Sequence, residues 1–142
     1  MRTREELAWA AGFFEGEGCI TLSHTSGKQR PQLVLMVSQV DPWPMERFVE
    51  AVGIGTAQYV EPRWAPRQQN VYRYRIVSFE KCQAVIAMLW PWLSPRRKET
   101  YLTKLARWRD WVPLTERGAT DRRRGQWRRE MVDGRWVRSR VA

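Results

Sequence analysis

The spacing of apolar and polar residues predicts a chain that alternates helices with pairs of strands. Thr3-Arg4-Glu5-Glu6 forms a capping box, so a helix is expected from Arg4 to Gly16. Gly18 is expected to end this helix in the left-handed conformation. Runs with strand alternation predict four strands, over residues 19–24, 32–39, 56–60 and 71–77. Capping residues and prolines predict three further helices, over residues 42–52, 79–89 and 95–111.

This order of elements predicts the α+β class, with an αββαββα arrangement followed by one more helix. Two hairpins would form an antiparallel sheet with the helices packed on one face. The other face would then be free to meet a partner. We expect this core domain to cover residues 1–112.

Residues 113–142 form an arginine-rich tail in which the apolar period weakens. From Leu114 onward it holds nine arginines and four acids, so its net charge of +5 is half of the net charge of the chain. A helix is predicted between Asp121 and Val132. The tail is either an arm that wraps DNA or a solvated extension, and Trp127 and Trp136 indicate that part of it docks.

The charge of the chain points to a polyanionic partner. In 142 residues, about one domain, the net charge is +10 and the isoelectric point is near 10.6. The basic residues are 21 arginines and four lysines, and the arginine fork matches phosphates and guanine edges. A genome-wide bias toward arginine is the alternative explanation. Nine tryptophans serve either as core anchors or as stacking surfaces for bases.

Several other classes of protein are disfavoured. No apolar run is long enough to span a bilayer, and no amphipathic helix carries the lysines of a membrane-surface protein. Acidic residues stand where a signal peptide would be apolar, so we expect an intracellular, non-secreted protein. Cys19 and Cys82 are too few for a disulfide framework or a four-cysteine zinc site, which indicates free thiols. The single histidine, His24, has no partner at ligand spacing.

The segment from Leu7 to Gly18 combines features that are unusual for an ordinary helix. Gly12 and Gly16 are four residues apart on one face, and such spacing lets a second helix approach closely. Glu15 and Glu17 lie at the end of the helix where the dipole is negative, so a cation there would be stabilising. The pattern predicts a helix paired with a twin, in which each copy delivers one carboxylate to a shared point where a Mg²⁺ ion activates water. The simpler alternative is a glycine-rich turn with solvated acids.

The run Ala10-Ala11-Gly12-Phe13-Phe14-Glu15-Gly16-Glu17-Gly18, followed by Cys19-Ile20, resembles the signature of the LAGLIDADG homing endonucleases. The resemblance covers roughly residues 5–112, including the αββαββα order. It implies an intron- or intein-encoded DNA endonuclease whose sheets form a saddle over DNA. A chain with one signature would act as a homodimer on a pseudo-palindromic site and leave short 3′ overhangs. Glutamate at both acid positions departs from the usual pattern.

The resemblance also implies roles for individual residues. Glu17 and Gly16 would hold the metal, and the interface between the paired helices would contain Ala8, Gly12, Phe13 and Gly16. Gln39, at the end of the second strand, would lie near the metal, unless it is only a strand end. A basic residue that arranges active-site water would be Arg96 or Lys98, and a solvated charge run is the alternative.

Strand alternation selects the face that would meet DNA. Arg73 and Arg75 alternate with aromatic and apolar residues of the fourth strand, so they would stand on the outer face or simply be solvated. Base contacts would set sequence preference, and loop residues would meet phosphates. The complete set of expected DNA contacts is Ser23, Thr25, Lys28, Arg30, Gln32, Val34, Met36, Gln58, Arg67, Arg73 and Arg75.

Two other functions stay open at this point. One is a nucleic-acid-binding relative that has lost cleavage, such as an intron maturase or a regulator, because Glu17 stands where aspartate is usual. The other is an unrelated basic α+β module with an accidental match to the signature.

Overall fold

The computed structural model describes residues 2–23, 29–61, 69–113, 127–132 and 135–140, the last two ranges by their backbone. Its helices are α1 (Arg4–Glu17), α2 (Pro42–Val52), α3 (Phe79–Leu89) and α4 (Pro95–Arg109). Its strands are β1 (Gly18–Leu22), β2 (Leu33–Gln39), β3 (Ala57–Val60), β4 (Val71–Ile76), β5 (Trp127–Val132) and β6 (Arg135–Arg140). A short 3₁₀ turn, Trp90–Trp92, joins α3 to α4. The predicted order through α4 is confirmed.

Four strands form one antiparallel sheet in the order β1-β2-β4-β3. The two predicted hairpins, β1 with β2 and β3 with β4, are joined through the pairing of β2 with β4. Gly18 pairs with Val37, and Val37 also pairs with Tyr74. The start of β1, the end of β2 and the middle of β4 therefore share one region of the sheet.

One face of this sheet and the four helices enclose the core. Leu35 and Val37 of β2 alternate with residues of the opposite face, as do Tyr74 and Ile76 of β4, and all four are buried. They pack in one cluster with buried residues of all four helices, including Phe14, Phe48, Val85, Leu89 and Tyr101. The prediction that the helices cover a single face of an antiparallel sheet is confirmed.

The first helix begins as predicted and ends differently. The Thr3 hydroxyl accepts from the backbone of Glu6, and the Glu6 carboxylate accepts from the backbone of Thr3. Gly18 ends α1, but it is extended, with φ of −82° and ψ of 152°, rather than left-handed. A Cβ at Gly18 would collide with the ring of Phe14. The glycine is therefore required by close packing and not by its own backbone conformation.

The helix predicted between Asp121 and Val132 is wrong where the structure describes it. Residues 127–132 form β5, which pairs antiparallel with β6 from Trp127 opposite Arg140 to Val132 opposite Arg135. The dipeptide Asp133-Gly134 separates the two runs, and this dipeptide is the strongest short signal of a hairpin. The helix prediction relied on weak apolar periodicity and neglected this turn signal.

The hydroxyl of Tyr74 is enclosed in the core. It donates a hydrogen bond of 2.7 Å to the carbonyl oxygen of Ile54. Burial raises the pKa of Tyr74 far above its ordinary value, and the nearby Cys82 thiol adds to this effect. Burial also raises the pKa values of Cys82 and Tyr101.

We expect the free energy of unfolding to fall as the pH rises above about 10, because the unfolded chain then loses the Tyr74 proton while the folded chain keeps it. Tyr74→Phe should lower the free energy of unfolding by about 1 kcal/mol at neutral pH and make its alkaline decline shallower. Urea unfolding across a pH series measures both effects. Parallel declines in the two proteins would show that Tyr74 is not responsible.

Candidate metal and nucleic-acid site

The first acid of the signature is bound within its own protomer. The Glu15 carboxylate accepts hydrogen bonds from the Ser94 backbone N–H, at 2.6 Å, and from the Ser94 hydroxyl, at 3.0 Å. Ser94 is the N-cap of α4, and its hydroxyl in turn accepts from the backbone of Arg97. Glu15 therefore places a negative charge at the beginning of α4, where the helix dipole favours it.

Arg97 supplies the cation at the end of α1. Its Nη2 donates to the backbone oxygen of Glu15 at 2.7 Å and to that of Phe14 at 3.4 Å. Its Nε lies 3.9 Å from the Glu15 carboxylate, and its guanidinium lies over the Phe14 ring. Sequence reasoning expected a cation here but assigned it to a metal. The available signal was the basic run of residues 96–98, from which the middle residue was not selected.

We expect Arg97→Gln to destabilise the fold by about 1–3 kcal/mol, because a charged hydrogen-bonding group with only 14% side-chain exposure is lost. The matched control is Arg96→Gln, which changes the same charge one position away at an exposed residue and should cost less than about 0.5 kcal/mol. Denaturant unfolding compares the two. Equal midpoints would contradict the role given to Arg97.

The second acid has a different environment. Glu17 is the last residue of α1, it is exposed, and no side chain in the described part of the chain forms an ion pair or hydrogen bond with it. Gly16, directly before it, is exposed as well. Carboxylate and backbone oxygens are the ligands of hard divalent cations. The described residues contain no cluster of three or more metal-ligating side chains.

Gln39 lies at the same end of the sheet as Glu17. Gly18, which directly follows Glu17, pairs with Val37, two residues before Gln39. The side-chain oxygen of Gln39 accepts from the Val40 backbone N–H at 2.8 Å. Gln39 ends β2 as predicted, and its place near a metal stays a prediction.

The two basic candidates on α4 have different surroundings. Arg96 is exposed at the start of the helix. Lys98 is partly buried, with its Nζ 5.2 Å from the centre of the Trp90 ring. Arg96 is therefore the more accessible of the two.

The face of α1 that carries the glycines is open. A Cβ added at Gly12 or Gly16 would meet nothing within 4 Å. Ala8 and Phe13 are partly exposed, and the Phe13 ring stacks on that of Trp9 with centroids 5.3 Å apart. Within the described residues, no other element covers the two glycines.

The outer face of the sheet carries a polar groove along β3 and β4. It is lined by Thr56, Gln58, Val60, Arg73, Arg75 and Val77. Gln58 pairs directly with Arg73, and Arg75 is exposed. The Nε of Arg73 is buried and has no hydrogen-bond acceptor among the described residues. The groove therefore places two guanidinium groups on the outer face, and that of Arg75 is the exposed one.

The other predicted contacts lie within β2 or directly outside β1 and β2, and they differ in exposure. Met36 is partly exposed, Gln32 is exposed, and the Ser23 hydroxyl accepts from the Gln32 backbone N–H. Val34 has the predicted parity and lies outside the core cluster, but its exposure is only 5%, which leaves little surface for direct contact.

Three expected loop contacts, Thr25, Lys28 and Arg67, lie outside the described residues, as does His24. Arg30 is described, and its guanidinium stacks over the Trp108 ring of α4, 4.6 Å from the ring centre. In this structure the Arg30 guanidinium is therefore engaged with the helix layer. Sequence alternation could not reveal this contact, since it joins a loop to a distant helix.

Comparison with known proteins gives matches in structure only. No family model and no curated protein matches the sequence. Among solved structures, the LAGLIDADG meganuclease I-AabMI bound to uncleaved DNA is 18% identical, with a TM-score of 0.59 over 82% of this chain and 39% of that chain. The homing endonuclease I-CvuI, in complex with the I-CreI target and Mg, is 21% identical, with a TM-score of 0.57 over 72% of this chain and 65% of that chain. The homing endonuclease I-TnaI is 17% identical, with a TM-score of 0.55 over 83% of this chain and 77% of that chain.

These matches show a shared fold. The chain spans less than two thirds of I-CvuI and well under half of I-AabMI. The shared fold is the one that the resemblance to the signature implied. Among the described helices, none has the length and apolar character needed to cross a membrane.

Proposed function

We propose that this chain, which has the fold of the LAGLIDADG homing endonucleases, is a metal-dependent DNA endonuclease that acts as a homodimer on a long pseudo-palindromic site and leaves short 3′ overhangs. The observation that carries the proposal is the contrast between the two signature acids. Glu15 is held by Ser94 and Arg97, whereas Glu17 is exposed without a side-chain partner in the described chain.

The residues that would hold the metal are Glu17, through its carboxylate, and Gly16, through its backbone oxygen. A hard divalent cation such as Mg²⁺ fits these oxygen donors. When bound, it would lower the pKa of a water molecule and stabilise the charge that develops on the scissile phosphate. I-CvuI was solved with Mg in one DNA complex and with Ca in another, which supports a divalent ion.

Gln39 and Arg96 complete the proposed catalytic set. Gln39 ends β2, the strand whose Val37 pairs with the residue after Glu17, and its amide would orient a water molecule at the metal. Arg96 is exposed and carries a permanent positive charge suited to a phosphate oxygen. We place Lys98 second because its ammonium already packs against Trp90.

The outer sheet face is the proposed DNA-binding surface. The groove around Arg73 and Arg75 provides two guanidinium groups, that of Arg75 being exposed, and guanine edges or phosphates are matching acceptors. The net charge of +10 supplies the attraction to the backbone that is independent of sequence.

A cleavage assay on a randomised duplex library tests this function. We expect double-strand breaks at an enriched site in the presence of Mg²⁺, and none in the presence of a chelator. Sequence-specific binding without any Mg²⁺-dependent nicking would instead support the relative that has lost cleavage, for which glutamate at position 17 is the favouring observation.

A further inference from the structure

We propose that the C-terminal hairpin, β5 and β6, is a second DNA-binding element that holds phosphates of the duplex outside the sheet face. We call this hairpin the arginine ribbon, consisting of residues 127–132 and 135–140. This inference rests on the proposed function in one respect, which is that the partner is duplex DNA.

The charge of the ribbon is concentrated and nearly of one sign. Its twelve residues include five arginines and a single acid, Glu130. The arginines are Arg128, Arg129, Arg135, Arg138 and Arg140. A partner that neutralises this charge must be a polyanion with closely spaced charges, and duplex DNA has one phosphate per about 1.7 Å of its axis.

The register of the ribbon adds a second, independent observation. Arg129 stands directly opposite Arg138. Like charges at directly opposed positions of an antiparallel pair are destabilising, and an isolated two-stranded hairpin is only marginally stable. A bound phosphate backbone would turn this repulsion into attraction, so the pairing favours a ribbon that works in contact with an anion.

The shape of the ribbon suits the duplex. Its two strands are separated by about 4.8 Å, and the major groove, about 12 Å wide, admits a two-stranded ribbon. Trp127 and Trp136 occupy the same face of the paired strands as Arg129 and Arg138, by alternation. This face therefore combines the opposed arginines with the two tryptophans of the ribbon.

The test measures how the affinity of the full-length protein for a short fluorescent duplex of arbitrary sequence depends on salt, with a chelator present. For the double variant Arg129→Gln and Arg138→Gln, we expect the slope of log affinity against log salt to become shallower by about 1.8, the value for two lost phosphate contacts. Arg129→Lys with Arg138→Lys keeps the charges and should retain the parental slope.

The matched control carries Lys81→Gln and Arg107→Gln, which remove the same charge from exposed positions of α3 and α4. The control should keep the parental slope. An unchanged slope in the ribbon variant, or an equal loss in the control, would overturn the proposal. If the ribbon variant lost affinity only for a structured RNA probe, the choice of duplex DNA would be wrong.

Two further measurements separate this proposal from others. Removing the opposed arginines relieves their repulsion, so hydrogen exchange of the ribbon amides should not become faster. Faster exchange would mean that the variant unfolds the ribbon, and this would overturn the explanation by lost phosphate contacts. At limiting protein concentration, cleavage by the ribbon variant should fall together with its affinity, and parental cleavage under these conditions would overturn the proposal. If the parent cuts no DNA at all, the proposed nuclease fails, but the salt slope still tests the ribbon.

Discussion

Replacing Glu17 by glutamine is expected to remove Mg²⁺-dependent cleavage while leaving duplex affinity intact. The amide keeps the size of the side chain and loses the negative charge that a divalent ion requires. Because Glu17 is exposed and unpartnered within the described chain, the change should not alter the free energy of unfolding by more than about 0.5 kcal/mol. We expect the single-turnover cleavage rate to fall at least about 100-fold, the scale of losing one preorganised charge-stabilising group.

The control for this prediction is Glu46→Gln, the same chemical change at an exposed position of α2. The control should cut at the parental rate. Duplex affinity measured in Ca²⁺ or chelator separates binding from catalysis. Parental cleavage by the Glu17 variant would remove Glu17 from the site, and a joint loss of binding and cleavage would indicate a structural role instead.

Replacing Gly12 by leucine is expected to have opposite effects on the single protomer and on the proposed dimer. In the protomer, a Cβ at position 12 meets open space, and leucine favours a helix over glycine by somewhat less than 1 kcal/mol. The protomer should therefore unfold at an equal or higher denaturant concentration. In the dimer, the leucine side chain would separate two closely approaching helices, so the dimer dissociation constant should rise at least about tenfold.

Sedimentation across a concentration series measures this association. The matched control is Ala87→Leu, another small-to-large change at an exposed helical position, on α3. The control should leave association unchanged. If Gly12→Leu leaves the dissociation constant at the parental value, α1 is not the interface. Loss of double-strand cleavage together with loss of the dimer would connect the glycine face to function.

Local signals in the sequence predicted most of the core correctly. Each of these signals depends on residues only a few positions apart. Examples are the capping box at Thr3, the N-cap at Asp41 with the prolines after it, and the alternation of β4. Such signals are independent of tertiary structure. The burial of Tyr74 and Ile76, and the exposure of Arg75 between them, follow from strand alternation alone.

The features that escaped prediction join distant parts of the chain. Arg97 caps the end of α1 from a position 82 residues away, and no pattern within α1 encodes this contact. The stacking of Arg30 on Trp108 is of the same kind. Gly18 was identified as a helix end for the wrong reason, because the Phe14 ring that excludes a side chain there is visible only in the packed structure. Val34 has the predicted parity, but parity alone does not determine exposure.

The hydrogen bonds between Glu15 and Ser94 have a consequence for biosynthesis. They join residues 79 positions apart, so a ribosome must extend the nascent chain beyond Ser94 before the end of the first helix can be anchored. Until then, the Glu15 carboxylate lacks the partners that distinguish it from its neighbour at position 17. A polypeptide interrupted before this point would carry the complete signature without the architecture that gives its two acids different surroundings.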